Sequence, residues 1–484
     1  MLVLCCYAAG ITAQRWTTHF AYNNVTQIAM ASDRVYALSD GSLYSVDKLS
    51  EQMRIYGRQS GLHATGITCI GYDVYRSQLI IAYDFGKLDI LTNNGVRYIG
   101  DLYNKDMTQR KTVHNITIHG RTAYLSTHYG VQTLDLTENR LVDSYWLRPD
   151  GAETPVMDVL INGDSIYAFT TDSLFCASLS DNLVDYHVWQ REVRSGRISP
   201  DSEKGKHYQD ALDNWYAGGA EGIIRFTPTE RLSYRPEGPL TNISYRVMTH
   251  GEEVYVLPGG RWTNQNNTSG NIMRFDGIHW LCIPRDSIYA RTGKPVLDMM
   301  NVAVDPQDSS HLFVTSYGTG LYEFQGTQLQ HHYLPAADNT LESAVPNNPT
   351  HYTRLDNALY DADGNLWLTV AGDVTYPLVC KDRQGVWHGL PIIVNTVAVP
   401  IHTPTGLLVD RRNGHHKWLA AGRAGTGLYC IDDRGTWDAS DDRICKKSGD
   451  DTVCYGASEG AERIADRYNI VADCDRGAVA EGRG

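Results

Sequence analysis

A short sequence motif returns nine times along the chain and constrains its fold more than any other feature. Each copy has an apolar run with an aromatic or large aliphatic second residue, then a Gly/Asp-rich turn, then a second run of alternating residues. Neighbouring copies lie 39 to 58 residues apart. A period near forty built from short strands is typical of β-propeller blades, so we predict an all-β fold. The second-position residues, called anchors below, are Tyr36, Ile80, Tyr124, Tyr167, Tyr216, Tyr255, Phe313, Trp367 and Trp418.

The first copy illustrates how one blade is expected to form. Strands are predicted over 25–30, 35–38, 43–46 and 53–56, with a turn at 39–41. Side chains alternate between the two faces of a strand, so one face of each blade can pack on the next blade. A large flat side chain fills the widening gap between blades. We therefore interpret the anchors as core residues rather than ligand contacts.

The number of copies exceeds one ordinary ring. Seven copies end near Pro335, which predicts a seven-bladed propeller over residues 14–335 and the start of an incomplete second propeller over residues 336–445. A single nine-bladed ring would lie outside the usual range of about four to eight blades. A chain with two propellers can also leave one ring and return to it, so this order along the chain is one of two possibilities.

The two ends of the chain differ from the repeats. Residues 1–13 are a short apolar segment followed by small residues, which indicates a secretory signal peptide lacking its basic start; the alternative is a buried first strand. After Ile444 the blade pattern stops, and residues 446–484 are expected to be a disordered linker or an out-of-frame tail, making the chain a fragment. No stretch of the sequence is long and apolar enough for a membrane-spanning helix.

Charge and cysteine content restrict the function classes. The formal net charge of −13 argues against a general nucleic-acid role, because phosphate binding needs a basic surface. The densest positive stretch, between Arg191 and Lys206, is interpreted as solvated loop charge. Five cysteines fall in different copies, too far apart for disulfides, and are expected to be buried thiols. They are Cys69, Cys176, Cys282, Cys380 and Cys430.

A search for catalytic motifs gives a negative result, so we predict that the chain is not an enzyme and has no cofactor or metal. The sequence has no HExxH, Cys-x-x-Cys, P-loop or Gly-x-Ser-x-Gly motif. The histidine pairs at 331–332 and 415–416 point to opposite strand faces and cannot easily hold one metal. The Asp361–Asn365 stretch is similar to a calcium loop, but it lacks the closing Glu and is predicted to be a hairpin turn.

One long insert is the best candidate for ligand binding. Residues Pro258–Gly270 combine an indole, a guanidinium and several amides, a set that can stack on a sugar and hydrogen-bond to it. Propellers commonly bind ligands through long loops held by rigid blades. We therefore predict Trp262 as a glycan-binding residue, with a merely solvated loop as the alternative.

Several stretches of the N-terminal half resemble one family. The stretches are Trp16–Val25, Ser39–Lys48, Ser60–Ile67 and Leu79–Ile90. Together they are similar to the N-terminal propeller of the PorZ family, found in the type IX secretion system of Bacteroidetes. Single pieces are shared with the wider class of propellers of two-component regulators. The similarity in blade pattern extends over residues 14–445.

The resemblance implies a non-catalytic protein exported to the outer-membrane surface. Members of the PorZ family have two seven-bladed propellers and a C-terminal β-sandwich. They join an attachment complex with the sortase PorU, with PorV and with PorQ, and present anionic lipopolysaccharide for linkage to secreted cargo. The resemblance transfers no binding residue to this chain. The alternative function is that of a periplasmic glycan-sensing propeller from a hybrid two-component regulator.

Overall fold

The computed structural model describes most of the repeat region of the chain. The described residues are 17–149, 151–193, 204–211, 213–261, 267–345, 347, 352–394, 397–410, 413–423, 425–448, 451–455, 468–473 and 477–482. The chain divides into two compact units, residues 1–242 and residues 243–484. The predicted signal peptide, residues 1–13, lies outside the described residues.

The first unit contains five blades, each a sheet of four antiparallel strands in chain order. Blade 1 has β1 (Val25–Met30), β2 (Arg34–Ser39), β3 (Ser42–Asp47) and β4 (Met53–Tyr56); blade 2 has β5 (Ile67–Asp73), β6 (Gln78–Tyr83), β7 (Leu88–Thr92) and β8 (Gly95–Ile99). Blade 3 has β9 (Val113–His119), β10 (Thr122–Thr127), β11 (Gly130–Asp135) and β12 (Arg140–Tyr145); blade 4 has β13 (Val156–Asn162), β14 (Ser165–Thr170), β15 (Ser173–Ser178) and β16 (Gln190–Val193). Blade 5 has β17 (His207–Asp210), β18 (Asp213–Ala217), β19 (Ile223–Phe226) and β20 (Arg231–Tyr234).

The second unit contains four blades. Blade 6 has β21 (Arg246–His250), β22 (Glu253–Leu257), β23 (Ile272–Phe275) and β24 (Trp280–Ile283); blade 7 has β25 (Met299–Asp305), β26 (Asp308–Gly318), β27 (Gly320–Gln325) and β28 (Gln328–Tyr333). Blade 8 has β29 (Thr353–Tyr360), β30 (Leu366–Ala371), β31 (Leu378–Lys381) and β32 (Trp387–Leu390), followed by the two-stranded β33 (Ile393–Val394) and β34 (Val397–Ala398). Blade 9 has β35 (Thr403–Val409), β36 (His416–Gly422), β37 (Gly427–Asp432) and β38 (Arg443–Ser448). Blades 7 and 8 form one continuous sheet, because the end of β26 also pairs with β29.

Helices are short and occupy connections. Two α-helices are described, α1 (Asp101–Asn104) and α2 (Arg285–Thr292), together with three single-turn 3₁₀ segments at Arg58–Ser60, Asp84–Gly86 and Tyr186–Val188. In the described part of the chain, no helix has the length and apolar character needed to span a membrane. The prediction of an all-β chain built from blades is confirmed.

Every anchor lies on the second strand of a blade, and seven of the nine are buried. Tyr167 and Tyr216 are the two half-buried exceptions. In blade 5 the residue that packs towards blade 1 is Trp215, with 1% of its surface exposed. Tyr216 therefore points to the opposite face of the blade. The expectation that Tyr216 is a core anchor is wrong, because the preceding residue, Trp215, has that role. The error arises because both neighbours are aromatic and a one-residue shift changes the strand face.

The packing order in the first unit differs from the order along the chain. Separate apolar clusters join blade 1 to blade 2, blade 2 to blade 3, blade 3 to blade 4, and blade 5 to blade 1. The hydroxyl of Tyr44 in blade 1 donates to the carbonyl oxygen of Tyr234 (2.9 Å) and accepts from the backbone N–H of Ile223 (3.0 Å) in blade 5. The order is therefore 5, 1, 2, 3, 4. Among the described residues, no apolar cluster of this kind joins blade 4 to blade 5.

The second unit follows chain order. Apolar clusters join blade 6 to 7, blade 7 to 8 and blade 8 to 9. The predicted boundary near Pro335 lies inside this unit, between β28 and β29, whereas the division between the two units follows Asn242. The difference has a physical reason: the seventh and eighth copies share a continuous sheet and an apolar core.

Strands also occur after Ser448, where the sequence predicts no blade. β39 (Asp451–Tyr455) pairs with β38 as a fifth strand of blade 9, and β40 (Tyr468–Asp473) pairs with β41 (Gly477–Gly482). Backbone hydrogen bonds form these ladders, and they do not require the alternating apolar pattern that was used to predict strands.

Candidate functional site

A polar cavity of about 300 Å³ opens between blades 7 and 8 in the second unit. Three connections and the strand ends next to them supply its lining: the turn from β25 to β26, the turn from β29 to β30, and the turn from β31 to β32. The lining residues are Asp305, Gln307, His311, Phe313, Tyr360, Asp363, Gly364, Leu366, Lys381, Asp382 and Arg383. This volume suits a ligand the size of a monosaccharide better than a long polymer.

An imidazole held between two carboxylates fixes one side of the cavity. Nδ1 of His311 lies 3.0 Å from Oδ2 of Asp305, and Nε2 lies 2.8 Å from Oε1 of Glu323. Partial burial alone would lower the pKa of His311, but the two carboxylate contacts outweigh it and raise the pKa. Both ring nitrogens then donate, so this histidine favours its cationic form. The hydroxyl of Tyr333 donates to the other oxygen of Glu323 (2.7 Å) and completes the network.

Two cations at the cavity make no hydrogen bond or ion pair with a described residue through their charged groups. The ammonium of Lys381 lies 5.7 Å from the centroid of the Phe313 ring and makes no hydrogen bond or ion pair with a described residue. The exposed Arg383 is held through its backbone N–H, which donates to Oδ1 of Asn365 (3.2 Å), and its guanidinium is likewise without a described partner. Cation–aromatic contact positions Lys381 while leaving its three N–H donors available.

One turn carboxylate, that of Asp382, positions these cations. Oδ1 of Asp382 accepts from the backbone N–H groups of Gln384 (2.9 Å) and Val386 (2.8 Å), which closes the turn between Lys381 and β32. Burial would raise the pKa of Asp382, but contacts with His388 and the turn N–H groups lower it. The carboxylate of Asp382 is therefore ionised, and its oxygens already accept hydrogen bonds from the turn N–H groups and contact His388. It shapes the turn that carries both cations.

The Asp361–Asn365 turn closes the neighbouring hairpin, as predicted. Oδ1 of Asp361 accepts from the backbone N–H groups of Asp363 (2.9 Å) and Asn365 (2.8 Å). Gly364 has a φ of +82°, the left-handed conformation that this hairpin turn requires. Asp361 is buried and its oxygens are engaged within the turn, so it is not arranged as a calcium ligand. Among the described residues, no group of three or more His, Cys, Asp or Glu side chains could hold a metal ion.

The predicted glycan-binding loop has a different role where it is described. Trp262 lies outside the described residues, whereas Arg261 is 7% exposed at its side chain and pairs with the buried Asp356 of β29. Its Nη2 donates to Oδ1 of Asp356 (2.7 Å) and to the carbonyl oxygen of Thr405 in blade 9 (3.0 Å). This guanidinium joins the inner strands of two blades and is not available for a sugar.

A similar contact occurs in the first unit. Lys204, from the positive stretch interpreted as solvated charge, donates to Oδ1 of Asp158 (2.6 Å) and to Oγ1 of Thr117 (2.6 Å). These partners lie in blades 4 and 3. The interpretation as solvated loop charge is therefore wrong for Lys204, because its ammonium group joins the inner strands of two blades. A single basic residue in a loop carries no sequence signal for such a role.

Sequence reasoning did not identify the cavity residues. His311, Lys381 and Arg383 belong to three different turns, and no short motif connects them. The only usable signal was the Asp361–Asn365 turn, which was recognised as a hairpin but not as the edge of a cavity. Pairing between blades 7 and 8 brings the turns together, and that packing is non-local.

Two comparisons with known proteins find similarity to PorZ. Residues 35–190 match the family model described as the N-terminal β-propeller domain of PorZ from the type IX secretion system. The solved structure of PorZ from Porphyromonas gingivalis, described as an essential bacterial surface component of that system, is 22% identical with a TM-score of 0.74. The match covers 89% of this chain and 67% of that one. No curated protein sequence matches the chain.

Less similar solved structures are also found. The extracellular domain of a putative one-component system from B. thetaiotaomicron is 12% identical with a TM-score of 0.30, over 90% of this chain and 61% of that one. An ancestral GH74 enzyme is 11% identical with a TM-score of 0.41, over 92% of this chain and 77% of that one. The family model confirms the predicted resemblance to PorZ over residues 35–190, and the solved PorZ structure shows the same fold over 89% of the chain.

Proposed function

We propose that this chain is a non-catalytic, PorZ-like component of a type IX secretion system that acts at the bacterial cell surface. The family model over residues 35–190 and the fold shared with the P. gingivalis surface component support this function. A protein that assembles or presents other molecules requires a rigid scaffold. It does not require the acid and base residues of a catalytic site. Within each unit, blades that pack through buried apolar clusters supply such a scaffold.

We further propose that the cavity between blades 7 and 8 binds an acidic saccharide, as expected for a protein that presents anionic lipopolysaccharide. The observation that carries this proposal is a pair of cations, Lys381 and Arg383, whose N–H donors have no described hydrogen-bond acceptor and which lie beside aromatic residues. An ionised acid group accepts charge-assisted hydrogen bonds from such donors. The half-buried Tyr360, whose ring centroid lies 6.4 Å from that of the buried Phe313, offers apolar surface to the sugar ring.

The negative net charge of the whole chain does not prevent the binding of an acidic saccharide. The net charge of −13 describes the entire surface, whereas binding depends on groups within a few ångströms of the ligand. At the cavity, Asp305 and Asp382 are engaged by His311 and His388. These two carboxylates are therefore turned towards protein partners, whereas the exposed Asp363 is a third carboxylate that lines the cavity.

The resemblance also supports proposals on location and partners. We propose export through a signal peptide at residues 1–13, residence at the outer-membrane surface, and assembly with proteins like PorU, PorV and PorQ. The alternative of a glycan-sensing two-component regulator is not favoured, because the family model matched over residues 35–190 is that of PorZ.

We also propose that the blades of the first unit are part of a seven-bladed ring. Blades 5, 1, 2, 3 and 4 pack in series, while the outer face of blade 4 carries the exposed Met157 and Leu160, and that of blade 5 the exposed Phe226. Exposed apolar residues on a blade face are typical of a surface that packs against another blade. Two further blades between blades 4 and 5 would close the ring, which corresponds to the predicted case of a chain that leaves a ring and returns to it.

Saccharide binding can be tested with matched lysine variants. Lys381→Met is expected to weaken the binding of glucuronic acid at least about tenfold, because a charge-assisted hydrogen bond is lost. Lys87→Met is the control, since Lys87 lies 4.6 Å from the ring centroid of Tyr103 in the first unit, away from the cavity. Glucose 6-phosphate and glucose serve as a second acidic ligand and a neutral one. Equal binding of glucuronic acid and glucose, or equal loss in both variants, would contradict the proposal.

A further inference from the structure

Three cysteines lie in register across the last blade. Cys430 on β37 is directly opposite Cys445 on β38, and Cys445 is directly opposite Cys454 on β39. The structure holds Cys430 and Cys445 as thiols, with 3% and 5% of their surfaces exposed. Cys445 is not among the five cysteines that the sequence analysis names. Its strand, Arg443–Ser448, has little apolar alternation.

The register gives the first two thiols the geometry of a disulfide. Directly opposite residues on antiparallel strands have Cα atoms about 4.5 to 5.5 Å apart, which lies inside the disulfide range of about 4.4 to 6.8 Å. Opposite residues also direct their side chains to the same face of the sheet. Bond formation therefore requires rotation of two side chains and no change in strand pairing.

The other described cysteines lack this arrangement. In the ladders, Cys69 is opposite Ala82, Cys176 is opposite Tyr167 and Gln190, Cys282 is opposite Met273, and Cys380 is opposite Trp367 and His388. Cys69, Cys380 and Cys430 are buried thiols as predicted, whereas Cys176 and Cys282 are only half-buried. Of these five, Cys430 has a cysteine directly opposite it, on the fourth strand of its own blade.

We propose that Cys430 and Cys445 form a cross-strand disulfide in the exported protein. The two thiols lose two protons and two electrons as the Sγ–Sγ bond forms. A disulfide of a thiol oxidant, such as oxidised glutathione or a dithiol oxidase, accepts the electrons and is released as thiols. The inference rests on the proposed function in one respect: export places the chain where such oxidants act.

The bond would fix the outer edge of blade 9. β37 and β38 are connected by the segment 433–442, and the disulfide would join them at the centre of their ladder. Burial at both cysteines shields the bond from reductants, as in structural disulfides. Cys454 is the competing partner, since it occupies the position opposite Cys445 on the other side.

Peptide mapping of the purified full chain tests the proposal without relying on any variant. The reduced protein is equilibrated with reduced and oxidised glutathione at a poise of about −200 mV, alkylated, digested without reductant and analysed by mass spectrometry. The Cys430–Cys445 cross-link is expected to exceed the dithiol at least about tenfold. A Cys445–Cys454 cross-link, alkylation of both thiols, or only mixed disulfides with glutathione would overturn it.

Two variants test which cysteines form the cross-link, and one measurement in cells tests whether the chain is exported. Cys454→Ser should retain the cross-link and Cys445→Ser should abolish it, while Cys69→Ser serves as a buried control in another blade. Alkylation of the protein in intact cells then reports its compartment. A chain that cross-links in the redox buffer but is fully reduced in cells contradicts the proposed export and leaves the geometry of the disulfide intact.

Discussion

The indole Nε1 of Trp367, the anchor of blade 8, donates a hydrogen bond to Oδ2 of Asp361 at 2.8 Å. The same carboxylate accepts from the backbone N–H groups of Asp363 and Asn365 and from the side-chain amide of Asn365. Trp367 is 1% exposed and Asp361 is 8% exposed. A single buried carboxylate thus joins a hairpin turn to the core contact between blades 8 and 9.

Replacement of this carboxylate should destabilise the second unit. Asp361→Ala leaves the buried indole N–H and two turn N–H groups without their acceptor, and we expect a loss of about 2 to 3 kcal/mol in the free energy of unfolding. Urea denaturation measures it. Asp363→Ala is the control, because Asp363 is exposed in the same turn and should change stability by less than about 0.5 kcal/mol. Equal effects from both variants would contradict this account.

The buried ion pair between inner strands gives a second prediction. Asp356 is fully buried, and Arg261 and Arg246 are its cationic partners. Arg261→Met removes the closer partner and leaves a poorly compensated charge, so we expect destabilisation of about 3 to 5 kcal/mol.

The control for Arg261→Met is an ion pair between an arginine and an aspartate at the surface. Arg285→Met breaks the contact with Asp286, whose side chain is 83% exposed, and should change stability by about 0 to 1 kcal/mol. If Arg261→Met unfolds at the same urea concentration as the wild type, the ion pair does not stabilise the unit.

The His311 network predicts a pH dependence of stability. The pKa of His311 is raised above its ordinary 6.5, so its contribution is complete below about pH 6.5 and is lost as the pH rises through the folded-state value. Burial would raise the pKa of Glu323, but contacts with Tyr333 and His311 lower it below 4.5, so its contribution is lost as the pH falls through that lower value.

A glutamine variant isolates the histidine part of this dependence. His311→Gln should be less stable than the wild type at pH 6, and the difference should shrink as the pH rises to 9. Thermal unfolding across this range measures the difference. His114→Gln is a useful contrast, because burial and the nearby His128 lower the pKa of His114. A constant difference between His311→Gln and the wild type at every pH would contradict the account.

Asp442 is expected to be a destabilising residue at alkaline pH. Burial, followed by repulsion from Asp433 and Asp441, raises its pKa to about 7, and neither carboxylate oxygen has a described hydrogen-bond partner. Its folded state favours the protonated form, so stability falls as the pH rises from about 4 through 7.

An isosteric amide tests this assignment. Asp442→Asn should raise the midpoint of thermal unfolding at pH 8 and change it little at pH 4, where the wild-type carboxyl is protonated. Asp438→Asn should give no increase at pH 8, because hydrogen bonds from Ser440 lower the pKa of that fully exposed group. An Asp442→Asn variant with an unchanged midpoint at pH 8 would show that the ionised carboxylate is well solvated.

Local patterns predicted the blades well, because strand alternation and turn residues are local properties. All nine anchors mark second strands, and the Asp361–Asn365 turn has its predicted form. The packing order was not predictable from the same signals. Contact between Tyr44 and Tyr234 brings blades 1 and 5 together across 190 residues, and no sequence period encodes it.

The cavity between blades 7 and 8 was not predicted, for a related reason, and the prediction for Trp262 stays a prediction because that residue lies outside the described part of the chain. Trp262 and Arg261 stood out because they occur in one long insert, yet Arg261 is used inside the unit. Lys381 and His311 are separated by 70 residues and become neighbours only through the shared sheet of blades 7 and 8. Sites assembled from several turns therefore escape reasoning that depends on short motifs.

The central claim is that the cavity between blades 7 and 8 receives an acidic sugar, and a crystal structure of the chain with glucuronic acid tests it most directly. We predict that the sugar carboxylate lies within hydrogen-bonding distance of Nζ of Lys381, with the sugar ring against Tyr360. A sugar bound instead at the 258–270 loop, or an empty cavity at a ligand concentration that saturates binding in solution, would contradict the account.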